Sequence, residues 1–459
     1  MGSFTVQDMT EQTSPIPLSF NQVFLCAFDR GAEHGAFGDK HTLAFGCRVS
    51  GAVDVDILQD ALNDVVERHD ALRIEIARSD PENQHQLVHP VSPVPLAVSD
   101  FPADDPRPRA ERAEAFLNEL EAGSYSVDQI PHMWGFFRRF DDADSVLVIV
   151  VHHVATDSWS MEITIRDVAE CYAARRADRA PNLPELHGFQ EFSAYQMESA
   201  GSEPTQHALE YWKTKLAGGQ ILGVKTDRPA DENLINRYSA YRYLFDAELT
   251  SATLKFAAAN RSTAFMLLMA AYNILLHKRT GSTDIVVPTF TSGRNDERFV
   301  ATVGPIFNYL LLRTDLSDCA NFRAVVAKTR TTCFEAYTYD VPFALVANQS
   351  PQVLAPFQDP TVAVIAFEVL QTPEDMTEEL IGDLKYTEIR RRVVQHPLSS
   401  HIPNGALWAT DVLPSGEMVG SLKFDLNRFD EATAIGLVDG LRETLRNAIT
   451  NPDAPISEL

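Results

Sequence analysis

Two adjacent histidines, His152 and His153, followed four positions after the second by Asp157, are the residues of this chain best suited to chemistry. An imidazole titrates near neutral pH, so it can take a proton from an attacking hydroxyl or amine and pass it to a leaving group. With 13 histidines in 459 residues such a pair is uncommon by chance, and its place in the chain adds weight. Ser145 precedes the apolar, mostly β-branched run Val146 to Val151, the pattern of a strand buried on both faces, and the histidines end it. Neighbouring strand residues point to opposite faces, so one histidine faces a channel and the other the packing. The same residues also admit two other readings: a pair of histidines satisfied at a strand end, and metal ligation with Asp157. The alternating geometry argues against a metal, and the other close pair, His85 and His89, lies in a strand-like segment where i and i+4 are about 13 Å apart.

The elements around the pair alternate between helical and strand periods, which predicts an α/β or α+β protein. Asp54 caps a helix carrying Leu58, Leu62, Val65 and Val66, and a strand-like Leu72 to Ile76 follows. After Trp159, Met161 to Ile165 lead into an amphipathic helix through Val168, Cys171 and Tyr172. Between Ala177 and Gly188 two prolines and few core-forming residues mark a boundary, giving a leader (1–16), an N-terminal lobe (17–180) and a C-terminal lobe (181–459). The second half predicts helices near 205–217, 247–260, 262–279 and 430–449. Strands are expected near 283–290, 306–314, 361–369, 383–394, 406–413 and 418–425.

Composition narrows the partners. A net charge of −25 opposes general binding to nucleic acid or an anionic membrane surface. The most apolar helical stretch, Ala264 to Leu276, is too short to span a bilayer and carries Asn273, so it reads as a core helix. Five widely spaced cysteines without a CxxC suggest neither disulfides nor zinc, and with no secretory signal the expected location is cytoplasmic.

The run HHVATDSW resembles the HHxxxDG motif of the condensation-domain superfamily of nonribosomal peptide synthesis. Further matches occur in the family's order. Ser19 to Gln22 resembles its opening Ser-x-x-Gln, and Arg68 to Arg73 its RHExLR segment. Tyr211-Trp212 matches a YW helix, and Ser292-Gly293-Arg294 a segment ending in Gly-Arg. Val303 to Tyr309 with Arg313 resembles VGxFxNxLxLR, Asp340 to Phe343 the late PF segment, and Phe424 to Asp430 the last strand and helix start.

The resemblance implies two chloramphenicol-acetyltransferase-like lobes in a V-shaped pseudo-dimer with a central tunnel. It makes His153 the catalytic histidine and His152 structural, and it pairs Asp157 with an arginine, for which Arg294 is the candidate. Ser158, Trp159, Asn308 and Tyr309 become candidates for the tunnel wall. The expected reaction joins an acyl or aminoacyl thioester to a small alcohol or amine, giving an ester or amide. The donor is carried on the phosphopantetheine of a separate carrier protein, with no cofactor or metal bound to the enzyme. Rival readings are an HHxxxD acyltransferase using acyl-CoA and a catalytically idle recruitment platform. Ser158 stands where the family has glycine, so a left-handed backbone there is expected to cost on the order of 1 kcal/mol. The basic run Arg390 to Arg392 is read as a solvated strand face, with a carrier-arm phosphate as the alternative.

Overall fold

The computed structural model describes residues 16–231, 233–370 and 376–459. Residues 1–15 of the expected leader lie outside the described residues, and Ile16 forms a β-bridge with Gln86.

The strand that ends at the histidine pair, Asp144–His152, lies inside a six-stranded sheet. The order is Glu379–Ile381, Leu384–Glu388, Thr42–Ser50, Asp144–His152, Met133–Asp141, Leu96–Asp100. Its alternation divides the core. Val146, Val148 and Val150 pack with Phe116 and Leu117 of the helix Arg109–Glu121. Leu147, Ile149 and Val151 pack with Leu62 and Val65 of Val55–Arg68 and with Met161 and Ile165 of Ser158–Arg176. All six side chains are essentially inaccessible to solvent, each contributing about 1.5–3 kcal/mol, so a polar residue within this run would strike the base on which the site stands.

A second, four-stranded sheet runs Ile365–Leu370, Ala406–Val412, Met418–Asp425, Tyr238–Leu244, the first pair parallel and the others antiparallel. Phe367 and Trp408 point from one face into the core, against Tyr272 of the helix Ala264–Thr280. The opposite face, carrying Ala366, Glu368, Leu407, Ala409, Ser421 and Lys423, lines a cavity. Beside it lies the antiparallel pair Asp284–Thr291 and Asn308–Asp315. Ala264–Thr280 is a core helix, and no helix among the described residues is long and apolar enough to cross a membrane.

Three of the boundaries that differ from the sequence-based expectation bear on the site and its sheet. Leu72 and Arg73 belong to a 3-10 turn, Asp70–Arg73, and the strand starts at Ile74 because the chain first turns out of the preceding helix at His69. The helix expected after Trp159 begins at Ser158, capped by Asp157. The strand expected over 383–394 stops at Glu388, and it pairs with Thr42–Ser50 in the first sheet. The division 17–180 and 181–459 is therefore crossed by residues 379–388, which complete the sheet of the N-terminal half.

Candidate active site

Beyond His152 the chain leaves the strand through a 3-10 turn, His153–Ala155, before the helix Ser158–Arg176. The His152 N–H donates to the His132 carbonyl and the His153 N–H to the His41 carbonyl, so the backbone stays tied to its neighbours while the two side chains part. His152 is wholly buried. Its Nε2 donates to the Gly38 carbonyl at 3.0 Å and its Nδ1 accepts from the Val154 N–H at 3.4 Å, which fixes one neutral tautomer. Burial, reinforced by neighbouring His132, pushes its pKa down to about 3.

His153 lines the cavity, which has a volume of about 580 Å³ and is walled by residues of both sheets. Its ring stacks on His41, centroids 4.6 Å apart and planes at 18°, and meets Phe307 edge-on at 5.6 Å. His41 is itself held by a 2.9 Å hydrogen bond from Nδ1 to the Ala36 carbonyl. The His153 Nδ1 is enclosed without an aligned hydrogen-bond partner, which leaves Nε2 as the nitrogen open to the cavity. Burial lowers the His153 pKa below 6.5, against the opposing pull of the loop backbone and the Asp157 charge. The ring is thus neutral at pH 7 and able to accept a proton.

Asp157 holds this loop in place. Its Oδ1 accepts from the Ser160 N–H at 2.8 Å, capping the helix, and its Oδ2 accepts from the N–H groups of Ile306 and Phe307 at 3.0 and 2.9 Å. Arg294 grips both oxygens, Nη1 to Oδ2 at 2.9 Å and Nη2 to Oδ1 at 3.2 Å, with both side chains buried. The same guanidinium donates to Ser160 Oγ and the Thr302 carbonyl. Gly293 lets Arg294 reach: its φ is +65°, and a Cβ there would sit 1.9 Å from the Ile306 carbonyl oxygen.

Ser158 is the first helical residue, is exposed and lines the cavity. Positive φ among described non-glycine residues occurs at Asp178, Arg261 and Glu378, so the strain expected at Ser158 is absent: a helix N-terminus needs no left-handed backbone there. Trp159 also lines the cavity, its indole N–H donating to the Val300 carbonyl at 3.0 Å. The N–H groups of Ser158 and Trp159 carry no hydrogen bond among the described residues and lie at the positive end of the helix. Tyr309 forms part of the wall, packed against Phe290 and Phe343. Asn308 does not. The pleat turns it to the other side of its strand, where its amide donates to Asp340 and the Val341 carbonyl and accepts from the Phe343 N–H.

The basic run Arg390 to Arg392 lies outside any strand, and of the three only Arg391 is exposed to solvent. Arg390 is paired with Asp411 and Arg391 with Glu417, while Arg392 reaches Glu121. Glu121, buried at the end of Arg109–Glu121, also receives Arg242 at 2.7 Å and Lys423 at 2.5 Å. Burial works against its charge, but Arg392, Lys423 and Arg242 together hold its carboxyl well below the usual range. This cluster joins the N-terminal helix to the second sheet at the cavity wall. The triple-arginine run is its only sequence signal; His41, too, lies too far from the motif to be read with it. His85 and His89 bind separate partners, Asn83 and Glu75, and no group of three or more His, Cys, Asp or Glu fit to hold a metal occurs among the described residues.

The profile of the condensation domain matches residues 38–459. The chain belongs to the condensation-domain family. Its sequence is 31% identical over 337 residues to a linear gramicidin synthase of Brevibacillus parabrevis, covering 73% of this chain and 6% of that protein. The chain spans 6% of the length of each linear gramicidin synthase polypeptide it matches. The crystal structure of the SgcC5 protein from Streptomyces globisporus, in complex with (R)-(-)-1-(2-naphthyl)-1,2-ethanediol and sucrose, is 39% identical. It superposes with a TM-score of 0.92 over 96% of this chain and 100% of that one. The X-domain from teicoplanin biosynthesis shares the fold, with a TM-score of 0.78, 24% identity and 98% coverage of each chain. The architecture is accordingly the two-lobed, chloramphenicol-acetyltransferase-like pseudo-dimer of condensation domains, a family that forms amide and ester bonds in nonribosomal peptide synthesis and works with carrier proteins.

Proposed function

We propose that this condensation domain transfers an acyl or aminoacyl group from the phosphopantetheine thioester of a separate carrier protein to a small alcohol or amine, with ester formation favoured. The observation that carries the reading is His153: a neutral imidazole with Nε2 open to a cavity between both lobes, on a loop fixed by the Asp157 and Arg294 pair. As the acceptor hydroxyl attacks the thioester carbonyl, Nε2 takes its proton. The C–O bond forms, the tetrahedral intermediate collapses with loss of the C–S bond, and the proton goes to the departing thiolate. The free N–H groups of Ser158 and Trp159 and the helix end behind them suit the negative charge that gathers on the carbonyl oxygen. An alcohol acceptor is supported by the 39% identical SgcC5 protein, crystallised with an aryl ethanediol, a molecule with two hydroxyls and no amine.

The test is mass spectrometry of products when acyl and aminoacyl carriers are offered with a diol or an amine. Acyl-CoA is offered in parallel as the rival donor. Ester from the carrier-bound donor, lost in His153→Ala, supports the reading. Equal use of acyl-CoA points to the acyl-CoA reading, and absence of product with every donor points to a recruitment platform.

A further inference from the structure

A carboxyl group on the cavity floor has no partner among the described residues. Glu368 lies on Ile365–Leu370, facing the cavity beside Ala366, while its neighbour Phe367 turns into the core. Among the described residues its carboxyl makes neither hydrogen bond nor ion pair, while its backbone stays in the ladder with Ala409. Burial raises its pKa to about 7, with Lys423 the charged group that opposes the rise. Lys423 does not neutralise it, being committed to Glu121 and to Ser400 Oγ at 2.7 Å. Nor does Arg242. The register places Glu368 beside Ala409, Ala409 beside Ser421 and Ser421 beside Arg242, a span of about 14 Å across three strand spacings. Asp411, the other acid on this face, is taken by Arg390. Small side chains at Ala409 and Ser421 keep the floor open between the acidic and basic ends.

A second cavity, of about 240 Å³, meets the first at Glu368 and is walled by Phe265, Met266, Phe290 and Tyr337. An ionisable group at the mouth of an apolar recess costs stability unless something pairs with it. A half-buried acid that faces a cavity and has no partner among the described residues is placed to receive a ligand.

The geometry points to Glu368 as a specificity-determining residue that receives a protonated amine of the substrate, with the amine's apolar or aryl neighbour in the recess lined by Phe265 and Tyr337. This deepens the proposed condensation, because it makes the natural substrate amine-bearing; it rests on that reading for turnover but not for binding. The amine belongs either to an aminoacyl donor or to the acceptor.

The experiment uses the whole chain. Phenylalanyl and 3-phenylpropanoyl thioesters of phosphopantetheine, identical but for the amine, are offered with 1-phenyl-1,2-ethanediol; the 3-phenylpropanoyl donor is then offered with 2-amino-1-phenylethanol, in which an amine replaces the primary hydroxyl of the acceptor. In wild type the amine-bearing partner is preferred in kcat/KM, and Glu368→Gln reduces that preference on the order of 10 to 100-fold, the usual worth of a charge-assisted hydrogen bond away from water. Loss of preference among donors assigns the amine to the donor; loss among acceptors assigns it to the acceptor. Thermal unfolding of Glu368→Gln should match or exceed wild type, since the substitution removes an unpaired acid. Equal losses for amine-bearing and amine-free substrates, or a preference that survives the substitution, would overturn the assignment. Calorimetric binding of 2-phenylethylamine reads the site without turnover. Binding weakened at least about ten-fold in Glu368→Gln, with no condensation by wild type, upholds the site and sinks the condensation reading. Condensation with binding indifferent to Glu368 does the reverse.

Discussion

Replacing Asp157 with asparagine tests the claim that the loop carrying His153 is held by a buried charge rather than by shape. Asparagine is nearly isosteric but turns one acceptor oxygen into an NH2. If the NH2 takes the Oδ2 place it faces the Ile306 and Phe307 N–H groups and Arg294 Nη1. If it takes the Oδ1 place it faces the Ser160 N–H and Arg294 Nη2. Either way donors meet donors, and Arg294 keeps its charge in a buried site without a counter-charge. Breaking such a pair from one side costs about 3–5 kcal/mol, and the loop should be looser as well as less stable. Urea unfolding followed by tryptophan fluorescence suits the measurement, because Trp159 sits two residues from the substitution and bonds across to Val300. Adding Arg294→Met removes the stranded charge and should recover at least about 1 kcal/mol of the loss, a coupling that a double-mutant cycle isolates. A single variant within about 0.5 kcal/mol of wild type, or a double variant less stable than the sum of its parts, would refute the reasoning.

Other consequences can be measured independently. His153→Ala should lower turnover roughly 10²- to 10⁴-fold with stability changed by less than about 1.5 kcal/mol, because the ring lines a cavity and its Nδ1 has no aligned hydrogen-bond partner among the described residues; undiminished turnover would remove His153 from the chemistry. Stability should fall on acidification. His152 is held at about 3 in the fold against 6.5 in the unfolded chain, so its contribution is complete above pH 6.5 and is lost as pH drops towards 3, at up to about 1.4 kcal/mol per unit. Buried His41 and His132, also shifted down, act in the same direction, and a urea midpoint unchanged between pH 7.5 and 5.5 would contradict this. Glu121→Ala leaves Arg242, Arg392 and Lys423 together without their shared carboxylate and should cost about 3–5 kcal/mol, read as a drop in the thermal midpoint; a wild-type midpoint would show that the cluster does not couple helix to sheet.

The sequence reveals what is repeated locally and conceals what is assembled from afar. The buried strand before His152 shows in its unbroken apolar run, and the parting of the two histidines follows from strand alternation. Arg294 is legible only through an ordered motif, since nothing in its own neighbourhood points to Asp157, 137 positions away. Asn308 misleads because a motif position says nothing of which face of the strand it occupies, and Ser158 because a familiar glycine suggests a left-handed turn where the backbone is helical. The Glu121 cluster draws from a helix, two strands and a connecting segment, and Glu368 is an ordinary acid in an apolar run until a cavity is seen above it. Neither leaves a period in the sequence.

The strands Glu379–Ile381 and Leu384–Glu388 set a rule for cutting and recombining this protein. They follow a strand of the second sheet in the chain but hydrogen-bond onto the first, at Thr42–Ser50. A fragment ending near residue 180 would lack that border, exposing the ladder of Thr42–Ser50 as an open edge prone to pairing with other chains. The complementary fragment would carry two strands with nothing to dock on. A chimera that exchanges the N-terminal lobe with a relative's must take residues 379–388 from the same parent, or its first sheet will be sewn from mismatched cloth.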